Sequence, residues 1–177
     1  MPIRGIEYAV NQIVTVLQAN LPAELDLMDA VWADGITLDD VPNAAYYKFN
    51  QPVALIENPG SILVIGETTD PLQIDSITNS PGRYVCEHGI AVEIHLKDTE
   101  NEQPQVTQSR LFRYAIAIER VLAIKNMTQE ATGVSMTFRR VGQATYTAVR
   151  QATETDQAGE FTGSARIPFM ARMHESL

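Results

Sequence analysis

The sequence is poor in cysteine, in basic residues and in long apolar runs, and each shortage excludes a class of protein. Its single cysteine, Cys86, cannot form a disulfide within the chain, so the sequence predicts a reducing compartment such as the cytoplasm. Only 13 of the 177 residues are Lys or Arg, against 22 Asp and Glu, which gives a net charge of −9. Because sequence-independent DNA binding needs clustered cations, this balance argues against a protein that holds nucleic acid.

Membrane insertion and export are also unexpected. No stretch approaches the roughly 18 consecutive apolar residues of a membrane-spanning helix. Glu7 and Asn11 fall where a secretory signal needs an unbroken apolar run. With 45% hydrophobic residues, the chain has the size and composition of a single domain over 1–177.

Apolar spacing near the start predicts a helix that is followed by a long connection. Apolar residues at spacings of three and four predict an amphipathic helix over Ile3 to Asn20, ended by Leu21-Pro22. Asp, Pro and Gly residues then predict a loop over about 21–58 with at most one short helix. Loops of this length in a compact domain tend to be functional or to order against a partner.

Four later segments have the composition of β-strands. The continuous apolar run Ser61–Glu67 predicts a strand that is buried on both faces, at the centre of a sheet. Alternation of apolar and polar residues predicts three more strands, over Tyr84–Lys97, Gly133–Val141 and Gly163–Glu175. The last strand is expected at a sheet edge or with a bulge, because Pro168 cannot donate a backbone hydrogen bond.

A second amphipathic helix is predicted between the second and third of these strands, capped by Thr107 or Ser109. Its apolar stripe comprises Leu111, Tyr114, Ala115, Ile118, Val121 and Leu122, with Arg110, Arg113, Glu119 and Arg120 outside it. This order of elements predicts an α+β fold, a mostly antiparallel sheet with the N-terminal helix and the mid-chain helix packed on one face. The predicted core includes Ile13, Leu17, Leu63, Val64, Ile65, Val92, Ile94, Leu111, Ile118 and Phe138.

Residues with catalytic or metal-binding chemistry do not converge in the sequence. Strand alternation places Cys86 and His88 on one face and Glu93 and His95 on the other, so these four cannot bind one ion. No histidine adjoins a nucleophile motif, and the glycine-rich phosphate-binding patterns are absent. We therefore expect neither enzymatic activity nor a metal or other cofactor.

Arginines of the last two predicted strands are interface candidates. If those strands pair, Arg139, Arg140, Arg166 and Arg172 share a surface. Such a surface is either a solvated sheet face or a salt-bridged subunit interface, because the planar guanidinium pairs well with carboxylates and the chain has an excess of these.

Three short segments resemble tail-completion and tail-terminator proteins of tailed bacteriophages and prophages. They are Leu21-Pro-Ala-Glu-Leu-Asp, Asp34-Gly-Ile-Thr-Leu and Pro42-Asn-Ala-Ala-Tyr-Tyr. The later order of a helix around 111–115 and a closing strand over 163–175 is similar too. The resemblance implies a structural virion protein of the phage neck, a subunit of a six-membered ring that caps the tail tube and joins it to the head.

The same resemblance implies partners and a location. The partners are further copies of the chain, the tail tube protein and head–tail connector proteins, with DNA only passing through the channel. The location is the virion tail or neck, after assembly in the host cytoplasm. Interface residues are expected in the long loop and the last two strands: Asp34, Gly35, Ile36, Arg139, Arg166, Phe169 and Arg172. The alternatives are another neck or baseplate protein, such as a head–tail adaptor, and a small soluble enzyme or ligand-binding domain.

Overall fold

Two long helices and one mixed sheet make up the described part of the chain. The computed structural model describes residues 5–48, 60–69, 73–74, 83–98, 104–124, 127–129, 134–147, 150–151 and 161–176. Helix α1 spans Ile6–Trp32, a 3₁₀ turn spans Asn43–Ala45, and helix α2 spans Pro104–Ile124. The strands are β1 Tyr46–Lys48, β2 Gly60–Thr69, β3 Gln73–Ile74, β4 Arg83–Asp98, β5 Met127–Gln129, β6 Val134–Arg140, β7 Thr145–Tyr146, β8 Arg150–Gln151 and β9 Phe161–Ser176.

The sheet is built around its two longest strands. Its order is β1-β2-β4-β9-β6-β5, while β3 pairs with β4, and β7 and β8 pair with β9. Strands β4 and β9 pair antiparallel over their whole length, from Arg83 opposite Ser176 to Asp98 opposite Phe161. The pairing of β1 with β2 is parallel, and the other pairings are antiparallel. The predicted α+β class with a mostly antiparallel sheet is confirmed.

The core lies between the helices and one face of the sheet, which we call the helix face. Ile94 of β4 and Ile167 and Phe169 of β9 are buried there in one cluster with residues of α1 and α2. Burying each such side chain contributes about 1.5–3 kcal/mol. All ten residues predicted for the core are buried, although Leu63 and Ile65 form a smaller cluster with Ala91 on the other side of the sheet.

Helix α1 does not end at Leu21-Pro22 as the sequence predicted. It continues to Trp32, with Pro22 inside it. Ala33 follows as the C-cap and adopts the left-handed conformation (φ 45°). A proline inside a helix costs about 3 kcal/mol, but Leu25 and Met28 continue the buried stripe beyond it and offset that cost. The predicted loop over about 21–58 is therefore wrong for 21–32 and for β1, whereas the 3₁₀ turn agrees with the one short helix that the sequence allowed there. The part of the loop over 49–58 lies outside the described residues.

Strand β9 lies inside the sheet and pairs with β4 without a register shift at Pro168, so the prediction of an edge position or a bulge is wrong. The nitrogen of Pro168 faces the gap between the end of β6 at Arg140 and the start of β7 at Thr145. Pro168 is therefore accommodated, because no ladder hydrogen bond needs its missing N–H there. There the Val141 N–H donates to the Pro168 carbonyl at 3.0 Å, and Gly142 makes the turn (φ 81°). The missing donor thus falls at a break in the ladder.

Two smaller predictions also differ from the structure. Strand β2 is buried over Ser61–Ile65 as expected, but it lies between β1 and β4, one strand from the edge. Helix α2 begins at Pro104, a residue that suits the first turn, so Thr107 is buried inside the helix and is not its cap. Ser109 also lies inside the helix.

Candidate assembly surfaces

The segment 33–42, which we call the strap, is fastened to α2 by a buried arginine. Arg113, predicted to lie outside the apolar stripe, is only 4% exposed. Its guanidinium donates to Asp34 Oδ1 and to the Ile36 carbonyl, each at 3.0 Å, and it forms an ion pair with Asp34 Oδ2. It also lies 4.7 Å from the centre of the Trp32 ring. The hydrogen bond from Arg113 lowers the pKa of the Asp34 carboxyl below its ordinary value.

Further hydrogen bonds hold the rest of the strap. Arg110 Nε donates to the Thr37 carbonyl at 3.0 Å, and the Tyr114 hydroxyl donates to the Asp39 carbonyl at 2.5 Å. The Leu38 N–H donates to Asp29 Oδ2 of α1 at 3.0 Å. These bonds make the strap a fixed part of the helix layer, which any partner would meet preformed.

Large apolar side chains are exposed beside the strap. Among the described residues, the exposed large hydrophobic side chains are Leu27, Val31 and Trp32 of α1, Phe112, Ile116 and Ile124 of α2, and Tyr146 of β7. Val31 is 70% exposed. Leu27 and Val31 lie four residues apart, as do Phe112 and Ile116, so each pair lines one side of its helix.

Aromatic contacts extend this surface at both ends. The Phe112 and Tyr146 rings pack edge to face with centroids 4.8 Å apart, and Trp32 packs on Arg113. Burial raises the pKa of the Tyr146 hydroxyl, and the nearby Glu119 carboxylate adds to that rise. We call Leu27, Val31, Trp32, Phe112, Ile116 and Tyr146 the outer helix surface. Exposed apolar groups at helical spacing mark protein-interaction sites when they cluster.

The side of the sheet opposite the helix face, which we call the second face, carries a closed ionic cluster. Arg166 of β9 forms ion pairs with Glu93 of β4 and Glu67 of β2. Glu67 is the extra residue of a bulge in β2, between Gly66 and Thr68. His95 Nε2 lies 3.2 Å from Glu93 Oε2. The charge of Arg166 is thus met by two carboxylates of its own chain.

A cleft of about 330 Å³ opens on the same face, near the other end of β9. Its lining residues are Glu87, Thr137, Arg139, Met170 and Arg172. Glu87, Arg172 and Thr137 lie opposite one another on β4, β9 and β6, and Arg139 lies opposite Met170 in the next row. Arg172 Nε is 3.8 Å from Glu87 Oε1, which is too long for a hydrogen bond.

The predicted interface residues fall into three environments. Asp34, Gly35 and Ile36 lie in the strap, where Asp34 and the Ile36 backbone are engaged by α2. Arg139, Arg166 and Arg172 share the second face, as expected if the strands paired.

Phe169, the remaining predicted interface residue, and Arg140, from the predicted arginine surface, are placed differently. Phe169 is 2% exposed and belongs to the core, so its prediction as an interface residue is wrong. Arg140 lies on the helix face, where its guanidinium donates to Glu119 of α2 at 2.7 Å.

The predicted separation of possible metal ligands is confirmed. His88 is buried on the helix face, whereas Glu93 and His95 lie on the second face. His88 Nδ1 shares a hydrogen bond with the Thr69 hydroxyl at 3.1 Å, and burial lowers the pKa of its imidazole. Over the described ranges, no group of three or more His, Cys, Asp or Glu side chains could hold a metal ion. No described helix is long and apolar enough to cross a membrane.

Sequence reasoning missed the outer helix surface. Leu27, Val31 and Trp32 follow Pro22, where the sequence predicts the end of the helix. The sequence therefore predicts a loop for these residues, whereas they lie on α1. Phe112 and Ile116 are apolar residues that lie outside the predicted apolar stripe of α2. Their position was the signal in the sequence that could have indicated this surface.

Comparisons with known proteins add a distant structural likeness. No family model and no curated protein matches the chain. Among solved structures, the chain is similar to a chain of "Virion of native gene transfer agent (GTA) particle" at 14% identity and a TM-score of 0.38. The match covers 89% of this chain and 94% of that chain. Because both the sequence identity and the TM-score are low, this likeness carries no argument about the function of the chain.

Proposed function

We propose that the chain is a structural protein of a tailed-phage virion, a tail terminator that acts by assembling with other protein subunits and not by catalysis. The outer helix surface is the observation that carries this proposal. Val31 and Ile116 expose apolar area on two helices that the strap joins through hydrogen bonds and an ion pair. A preformed apolar surface loses little conformational entropy on binding, and burying it against a partner favours association.

The segments that resemble tail terminators support the same surface. Residues 21–26 lie in α1 just before Leu27, residues 34–38 lie in the strap, and residues 42–47 lead into β1. The first two flank Val31 and Trp32 in the chain. In this proposal, copies of the chain form a ring of six that caps the tail tube, and head–tail connector proteins bind the other side of the ring.

Charged substitutions on the outer helix surface test the proposal. Val31→Asp and Ile116→Asp place a carboxylate where the partner would have to bury it, so both should weaken assembly. Asn11→Asp is the matched control, since Asn11 is an exposed residue of α1 that lies far from the strap in sequence. Native mass spectrometry and light scattering, with and without purified phage tail tubes, would measure assembly, and circular dichroism would confirm the fold.

The expected result is a ring of the parent chain and of Asn11→Asp, on its own or on tail tubes, that both apolar-to-Asp variants fail to form. A parent chain that stays monomeric even with tail tubes would count against the terminator role. Assembly of Val31→Asp and Ile116→Asp at the parental level would count against this surface.

A further inference from the structure

The arginines of the second face differ in how their charges are met. Arg166 has two carboxylates of its own chain, Glu67 and Glu93. Among the described residues, Arg172 has only Glu87, at 3.8 Å, and Arg139 forms no ion pair or hydrogen bond. Counted over those residues, the cleft between Arg139 and Arg172 has one cation in excess, in a chain whose net charge is −9.

The cleft has the donors and the space for an acidic group. Two guanidinium groups and the Thr137 hydroxyl border a volume of about 330 Å³, and Met170 supplies an apolar wall. Arginine binds a carboxylate through two parallel hydrogen bonds, which makes such pairs short and directional. Glu87 is too distant to satisfy Arg172 in this way.

We infer that this cleft binds an aspartate or glutamate side chain from an acidic segment of a neighbouring protein subunit. The inference depends on the proposed function only in taking that neighbour to be a protein subunit. A protein carboxylate fits better than a nucleic acid because the excess of one cation matches a single acid, whereas a polyanion would be repelled by the remaining charge. The chain itself has 22 acidic residues, so a second copy could supply the group.

Peptide binding tests this directly. The probe is a fluorescein-labelled, end-capped peptide with one glutamate between glycines, titrated with the full chain at low salt and followed by fluorescence anisotropy, with the same peptide carrying glutamine as the neutral comparison. The double variant Arg139→Gln with Arg172→Gln should bind at least about tenfold more weakly, because two charge-assisted contacts are lost. Glu87→Gln should bind a few-fold more tightly, because it removes the acid that competes for Arg172.

Two controls keep the result specific. The double variant Arg120→Gln with Arg140→Gln removes two exposed arginines, which pair with Glu24 and Glu119 away from the second face, so it matches the loss of two charges and should leave binding unchanged. Circular dichroism of every variant would show whether the fold is kept, and the gain expected from Glu87→Gln cannot arise from misfolding.

Several outcomes would overturn the inference. They are equal weakening by the Arg120 and Arg140 double variant, parental binding by the Arg139 and Arg172 double variant, and binding of the glutamate peptide to the parent chain no tighter than that of the glutamine peptide. Binding of a short labelled DNA duplex that is tighter and depends on Arg139 would replace the protein acid with a phosphate. Peptide binding that persists in a Val31→Asp chain unable to assemble would support this cleft while leaving the ring untouched, so the two proposals can fail separately.

Discussion

The two faces of the sheet are built from the same strands but are stabilised by different forces. On the helix face, Ile94 and Phe169 are buried under α1 and α2, and water is excluded. On the second face, Arg166 and Arg172 stay partly exposed beside carboxylates. Hydrophobic burial therefore dominates the stability of the first face, whereas ion pairs on the second are screened and contribute little.

This difference indicates which side chains can contact a partner without lowering the stability of the fold. Side chains of the helix face are committed to the core, so they cannot meet a partner. Charged groups of the second face contribute little to folding, which leaves Arg139 and Arg172 available for binding. The outer surface of the helices forms a third environment, in which apolar groups such as Val31 are exposed.

The largest expected effect comes from neighbouring residues of β9 that lie on opposite faces. Phe169→Ala should lower the free energy of unfolding by about 3–5 kcal/mol, because it leaves a cavity in the core. Met170→Ala, one residue further along and half-buried on the second face, should lower it by less than about 1.5 kcal/mol. Denaturation in urea would measure both, and equal losses would refute the assignment of faces.

An intermediate effect is expected from two arginines in different surroundings. Arg113→Met removes the hydrogen bonds that hold the strap, so it should cost about 1–3 kcal/mol of stability. Arg172→Met should cost less than about 0.5 kcal/mol, since its nearest carboxylate is distant and the pair is exposed.

Acid titration gives a second readout of the Arg113 substitution. The folded pKa of Asp34 is lowered by Arg113, so its contribution is present above the unfolded pKa and is lost as pH falls through the folded pKa. Arg113→Met should make unfolding less sensitive to acid in that range. Urea denaturation of Arg113→Met and of Arg172→Met, repeated over that pH range, would check this. An unchanged acid dependence in Arg113→Met would show that the pair does not secure the strap.

The smallest expected effect is a pH dependence that comes from the helix face. Burial lowers the pKa of His88 below its ordinary value of 6.5, so the unfolded chain takes up a proton at higher pH than the folded chain. Stability should therefore be full above about pH 7 and decline as the pH falls through 6.5 towards the folded pKa. Thermal melts across this range should show a shallower decline for His88→Gln than for the parent. Parallel declines would mean that another group is responsible.

Local patterns were enough to predict the four longest strands, β2, β4, β6 and β9. Alternation in β4 and β6 predicted that Ile94 and Phe138 belong to the core, because side chains of a strand point to opposite faces in turn. The same rule separated His88 from His95. Short strands such as β1 and β7 were not predicted, since two or three residues carry too little pattern.

Helix limits and sheet edges could not be read in the same way. Pro22 predicts the end of a helix when only its neighbours are considered, yet α1 continues because Leu25 and Met28 are buried beyond it. Pro168 predicts an edge strand, yet the break between β6 and β7 accommodates it inside the sheet. In both cases a contact that is distant in sequence outweighs a local preference.

Composition and the periods of two and about 3.6 residues were sufficient to predict the α+β class, the acidic charge and the buried side of β4. The burial of Arg113, and the absence of a partner for Arg139 among the described residues, follow from the tertiary fold. Asp34 meets Arg113 across 79 residues of chain, and Glu93 meets Arg166 across 73. Pairings at such separations depend on which strands and helices become neighbours, and no local pattern encodes that order.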